Sequence, residues 1–242
     1  MNLDMMEGAA LVIGAGGGLG AALVAQLSGA EGGSPAYSAV LGLSRSSLPA
    51  IDYGDEASLK TAAGWVAEQC AAQQLELRLL IVASGFLHGP EGQPERSFSQ
   101  LDAGYLAHVL QVNAIGPALV MKHFLPLLPR QGRCIAAFLS ARVGSIGDNA
   151  LGGWYGYRAS KAALNQLVKT ASVEMTRRNR LSVCVALHPG TVATALSQPF
   201  AKTGLNVRPA QEAASDLLAV IQCLQPGDTG NLLDYQGLTL PF

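Results

Sequence analysis

The stretch Ala10-Leu11-Val12-Ile13-Gly14-Ala15-Gly16-Gly17-Gly18-Leu19-Gly20-Ala21-Ala22-Leu23 decides the fold, because its character changes in the middle. Gly8 to Ala25 is 18 residues without a polar side chain, the length of a membrane-helix candidate. Six of those residues are glycine, and each glycine costs a helix about 1 kcal/mol relative to alanine. The run therefore reads as a short buried strand, Ala10 to Ile13, a glycine turn, and a helix from about Gly18 to Leu27. No membrane span is expected there.

Outward from this unit the alternation repeats. Apolar runs of strand length lie at Ala39 to Leu43, Leu77 to Ala83, Cys134 to Leu139 and Ser182 to Leu187. Helical segments are expected at about Glu56 to Gln74, Ala103 to Leu127, Tyr157 to Arg178 and Ala210 to Gln222. Long crossovers between short buried strands make an α/β fold with a parallel sheet. No repeat or linker divides residues 1–242, so one domain is expected. Gly29 to Pro35 reads as a loop, and Ala195 to Pro209 as a flap over a substrate.

Composition excludes several function classes. Of 242 residues, 49% are hydrophobic and 14% charged, which favours a large core over a disordered chain. Sixteen basic and seventeen acidic residues give a net charge of -1, without the basic patch that a nucleic acid requires. Cys70, Cys134, Cys184 and Cys223 have neither zinc-finger nor disulfide-framework spacing, so no metal is expected. Asp4 and Glu7 replace the basic start of a targeting peptide, and a cytoplasmic location is expected.

Chemistry begins at the first turn. A strand, a glycine-rich turn and a helix N-terminus present backbone N–H groups and the helix dipole to a pyrophosphate. Gly14, Gly18 and Gly20 fit a G-x-x-x-G-x-G spacing, with Leu19 inside it. The second strand ends Leu43-Ser44-Arg45, with no carboxylate for a ribose 2′-hydroxyl and with a guanidinium suited to a 2′-phosphate. NADP(H) is thus expected over NAD(H). Further on, Tyr157 and Lys161 stand at i and i+4, on one helix face. A phenol titrates near pH 10, and an adjacent ammonium favours its ionised form. Lowering it by about 3 pH units takes roughly 4 kcal/mol of differential interaction. Tyr155 has Ala159 at the same spacing and no such partner.

Along nearly its whole length the chain resembles the short-chain dehydrogenase/reductase family. The matches run in order: Gly14, Gly18 and Gly20; Asp52, where the family's adenine-contacting acid falls; Ser84-Gly85; Asn113; Ser140; Tyr157 and Lys161; and Pro189-Gly190-Thr191-Val192-Ala193-Thr194. Within the family the motifs are most similar to C-factor or sniffer-like carbonyl reductases. The resemblance implies a single-domain, doubly wound Rossmann-type sheet and hydride transfer between a nicotinamide cofactor and a carbonyl or alcohol. Tyr157 would protonate the carbonyl oxygen, Lys161 would lower the phenol pKa and hold the nicotinamide ribose, and Asn113 would anchor a water. A serine would orient the carbonyl, and Pro189, Gly190, Val192 and Thr194 would flank the nicotinamide. It further implies a homodimer or homotetramer. An NAD-linked alcohol dehydrogenase and a cofactor-binding regulatory protein without turnover are the alternatives.

Three departures qualify the match. Ile13 stands where the family has Thr, and Val82-Ala83-Ser84-Gly85 replaces its N-N-A-G, which predicts a less tightly tied turn. The family's serine lies about 13 residues before the tyrosine, at Gly144 here, while strand context points to Ala141. Ser140 is the expected catalytic hydroxyl, with Ser145 the alternative.

Overall fold

The strand expected at Ala10 to Ile13 begins earlier, as β1 (Met6–Ile13), and ends in the glycine turn. The computed structural model describes residues 6–30, 36–194 and 207–242. After α1 (Gly18–Leu27) come β2 (Tyr37–Leu43), α2 (Glu56–Ala72) and β3 (Leu77–Val82). The expected helix at 103 to 127 is subdivided: α3 (Ala103–Leu110), a π-helical turn (Gln111–Ile115), α4 (Gly116–Phe124) and a 3-10 turn (Leu125–Leu127). This run is long and apolar enough by composition to cross a membrane, yet Val120 and Phe124 are buried in the protein core. β4 (Cys134–Leu139), α5 (Tyr155–Arg178) and β5 (Ser182–His188) follow, α5 starting two residues earlier than expected.

Four short strands were not foreseen: β6 (Thr191–Val192), β7 (Val207–Arg208), β8 (Leu232–Asp234) and β9 (Thr239–Leu240), with α6 (Ala210–Cys223) before the last two. At two or three residues they carry too little alternation to be read. Of the expected flap, 195–206 lies outside the described residues; its end, β7, pairs in parallel with β6.

The main sheet has the order β2-β1-β3-β4-β5-β8-β9, parallel except for β9. The chain leaves β1 for one side and returns to the other, so β1 and β3 border the switch point where such sheets bind ligands. Strand periodicity of two sorts the core into two layers. Leu11, Ile13, Leu80, Phe138 and Cys184 face α2, α4 and α5, whereas Val12, Leu79, Ile81, Ile135 and Val185 face α1 and α6. Apolarity on both faces explains the continuous apolar runs of the central strands. Local caps start α2 and α3: Asp55 accepts from Ala57 N at 3.0 Å and Asp102 from Tyr105 N at 2.8 Å. No side chain of the preceding residue caps α1 or α5.

Candidate active site

Close backbone approach builds the first half of the site. Gly14 has φ +92°, and a Cβ there would stand 2.7 Å from Ser84 N and 2.9 Å from the carbonyl carbon of Ala83. Gly20 lies tighter still, its Cβ position 2.1 Å from Gly14 O. The turn thus brings the N-terminus of α1 against the end of β3. Gly17 precedes α1 without a capping side chain, and no acid occupies its first turn, so its N–H groups suit an anion. Leu19 buries its side chain in the core, leaving only its backbone to the site. Thr194, two residues beyond β6, comes within 3.2 Å of the Gly18 Cβ position. These residues fit the pyrophosphate of a dinucleotide.

At the adenosine end, Ser44 and Arg45 follow β2. The Ser44 hydroxyl lies 3.5 Å from the Gly16 Cβ position and 3.2 Å from that of Ser46, and Arg45 is exposed. Asp52 is exposed and accepts the Gly54 N–H at 2.8 Å. Ser84 is not loosely held: its hydroxyl is 2.5 Å from that of Tyr53. A Cβ on Gly116 would fall 2.2 Å from the Tyr53 ring, so the helical run and the β3 turn clamp this phenol between them. Tyr53 therefore ties the turn that the lost asparagines were expected to leave slack, and burial pushes it up to about 12.

Helix α5 provides the second half. Tyr157 is 8% exposed and Lys161 3%, with Nζ 5.9 Å from the phenol ring centroid. Nζ donates to Leu139 O at 2.8 Å. The expected lowering of the phenol is not what the protein alone provides: burial pushes Tyr157 up to about 12 and Lys161 down to about 8. Both groups are charged by titration in opposite senses, and a dry surrounding disfavours both charged forms.

Asn113 lies on the π-helical turn, a break that is frequent at functional sites. Its amide grips Phe86 with both arms, accepting from N and donating to O at 2.8 Å each, and donates to Ser160 Oγ at 3.0 Å. Ser160 in turn donates to Tyr157 O. Asn113 thus couples the loop after β3 to the helix of Tyr157.

The serine expectation meets a different geometry. Ser140 donates to Asn165 Oδ1 at 2.6 Å and makes no hydrogen bond to Tyr157 among the described residues. Ser145 accepts the Asp148 N–H at 3.0 Å. The side chain at this strand end that packs with Tyr157 is Ala141, together with Leu87. Gly144, 13 residues before the tyrosine, admits no hydroxyl: a Cβ would stand 2.7 Å from Lys161 Cβ and 2.9 Å from its carbonyl carbon.

Around the phenol, Trp154 stands edge-on to Tyr157 at 6.1 Å, while Tyr155 turns outward and is exposed. Phe86 packs on His108 at 4.5 Å. Arg158, unremarked in the sequence, donates to Gly152 O, Gly153 O and Val143 O, lashing the loop before α5 onto that helix. Among the described residues no three His, Cys, Asp or Glu side chains cluster to hold a metal.

Pro189 and Gly190 follow β5, Gly190 at φ +77° and close to Tyr235 and Arg208. His188, just before them, has no partner for Nδ1 among the described residues. Burial pushes its imidazole down to about 4 from 6.5, against the pull of Asp234 and with the push of Arg142. The unfolded chain takes up this proton below its ordinary pKa, the folded chain only near 4. Stability is therefore expected to fall as pH drops from 6.5 to 4. Urea midpoints across that window should show a shallower fall in His188→Phe; parallel curves would remove His188 as the cause.

Comparison with known proteins agrees with this architecture. The short chain dehydrogenase family model matches residues 8–204. The C-signal protein of Myxococcus xanthus is 36% identical over 146 residues, 60% of this chain and 84% of that protein. A 1-hydroxy-2-glutathionyl-2-methyl-3-butene dehydrogenase of Rhodococcus sp. is 32% identical over 142 residues, 59% of this chain and 61% of the enzyme. Among solved structures, the carbonyl reductase Sniffer of D. melanogaster superposes with TM-score 0.82 at 23% identity, covering 98% of this chain and 100% of that one. An NADPH-bound carbonyl reductase from chicken fatty liver gives TM-score 0.82 at 25% identity, covering 99% and 96%. With a family model spanning most of its length, from the strand before the glycine turn to beyond α5, the chain belongs to the short-chain dehydrogenase family.

Proposed function

We propose that the protein reduces an aldehyde or ketone with NADPH. The observation that carries this reading is the buried Tyr157–Lys161 pair on α5, with Lys161 bonded to the carboxyl end of β4 while the anion-ready start of α1 follows the carboxyl end of β1 in the same sheet. When bound, the reduced nicotinamide supplies a hydride to the carbonyl carbon. Tyr157, held protonated by burial, delivers its phenolic proton to the carbonyl oxygen, and the product is an alcohol. Lys161 carries its charge below about pH 8 and favours the phenolate left behind. Asn113 and Ser160 hold the phenol's helix against the loop after β3.

Arg45 supports the choice of NADPH, as does the NADPH named with the chicken carbonyl reductase structure. Titrations of NADPH and NADH, followed by nicotinamide fluorescence, test it. Arg45→Asp is expected to weaken NADPH about 10- to 100-fold, the range of a charge-assisted contact of about 1.5 to 3 kcal/mol, with NADH changed little. Equal effects on both would take Arg45 out of the phosphate site. A second reading, a cofactor-binding protein without turnover, is favoured by the methyl of Ala141 on Tyr157. NADPH binding with no oxidation of NADPH by any of a panel of reactive carbonyls would select it.

A further inference from the structure

Helix α5 carries Tyr157 in its first turn, where a helix has orphan N–H groups. Trp154 precedes it at φ 52° and provides no capping side chain. What meets this end of the helix comes from 61 residues upstream. Glu95 is 2% exposed, its carboxylate oxygens stand 3.1 and 3.2 Å from Gly156 N, and its backbone carbonyl accepts the Trp154 N–H at 2.5 Å. A buried carboxylate there is favoured by the helix dipole and supplies the acceptor that Gly156 N–H lacks.

The contact leaves little slack. A Cβ on Gly156 would stand 3.1 Å from Leu106, 3.2 Å from Glu95 Oε1 and 3.3 Å from Tyr105. The Tyr105 hydroxyl donates to Leu87 O at 2.7 Å, and Leu87 packs with Tyr157. Carboxylate, first turn and phenol wall are therefore one packed unit.

We propose that Glu95 is the positioning residue for Tyr157: its buried carboxylate pins Gly156, the residue before the phenol, and so sets where the proton donor stands. This rests on Tyr157 acting as that donor. Displacement of a reacting group by about 1 Å can cost on the order of 100-fold in rate.

The test compares Glu95→Met, which keeps bulk and removes the acceptor, with Glu95→Gln, which keeps an acceptor oxygen. Turnover of NADPH with 4-nitrobenzaldehyde, NADPH affinity and amide exchange over residues 154–158 are measured on the full chain. Glu95→Met is expected to lower kcat by roughly 10- to 100-fold with KM and NADPH affinity nearly unchanged, and to speed exchange at Gly156. Glu95→Gln is expected to recover most of kcat and of the protection. Wild-type kcat or wild-type exchange in Glu95→Met overturns the proposal, as does a loss shared equally by both variants together with NADPH binding. If the wild type itself does not turn over, the reductase reading fails, and the exchange comparison still decides whether Glu95 pins the helix. Should Glu95→Met not fold, Glu95→Asp, with the carboxylate drawn back by one methylene, is expected to show the same pattern, and wild-type kcat and exchange there overturn the proposal.

Discussion

Tyr157→Phe is expected to lower kcat for carbonyl reduction by about 1,000-fold, within the range of about 100- to 10,000-fold for removal of a general acid or base. The substitution removes one oxygen and keeps the ring against Trp154, Leu87 and Ala141. Stability should accordingly change by less than about 0.5 kcal/mol, and NADPH affinity by less than about threefold. Steady-state kinetics, a nicotinamide fluorescence titration and a urea curve on the same preparation check the three parts. Retained turnover would mean that another group protonates the carbonyl.

The second large effect concerns the glycine turn. Gly20→Ala is expected to destabilise the protein by more than about 2 kcal/mol and to abolish measurable NADPH binding. The added methyl would stand 2.1 Å from Gly14 O and 2.8 Å from Gly14 C. Both are backbone atoms, so no rotamer change relieves the overlap and the turn must open. Gly64→Ala in α2 is the matched control, because nothing lies within 4 Å of its Cβ position. There the same chemical change should stabilise by about 0.5 to 1 kcal/mol, through helix propensity. Denaturation midpoints moving in opposite directions check the pair. A tolerated Gly20→Ala would show that the turn has room the geometry denies it.

How far the site was legible follows from the range of each signal. Tyr157 and Lys161 are four residues apart on one helix, and helical geometry alone puts them on one face. The glycine turn was legible because composition changes abruptly after Ile13. Ser140 was expected to orient the carbonyl, and nothing local reports that its hydroxyl donates to Asn165. The serine question turned on Gly144, where α5 comes too close for any side chain. Tyr53 reaching Ser84, Glu95 reaching Gly156 and Arg158 holding the loop before α5 were equally invisible, since each joins segments by a contact with no sequence period.

By itself, then, the sequence determined the alternation of buried strands and crossover helices, the glycine turn and the shared helix face of Tyr157 and Lys161. These depend on periodicity, glycine content and i,i+4 spacing, all of which act within a few residues. Only the tertiary structure showed how enclosure acts on the pair in the protein alone, burial raising Tyr157 and lowering Lys161. It also decided which groups flank the phenol and what caps its helix. Desolvation and close packing depend on every element that surrounds a group, and the order of residues along the chain does not record that enclosure.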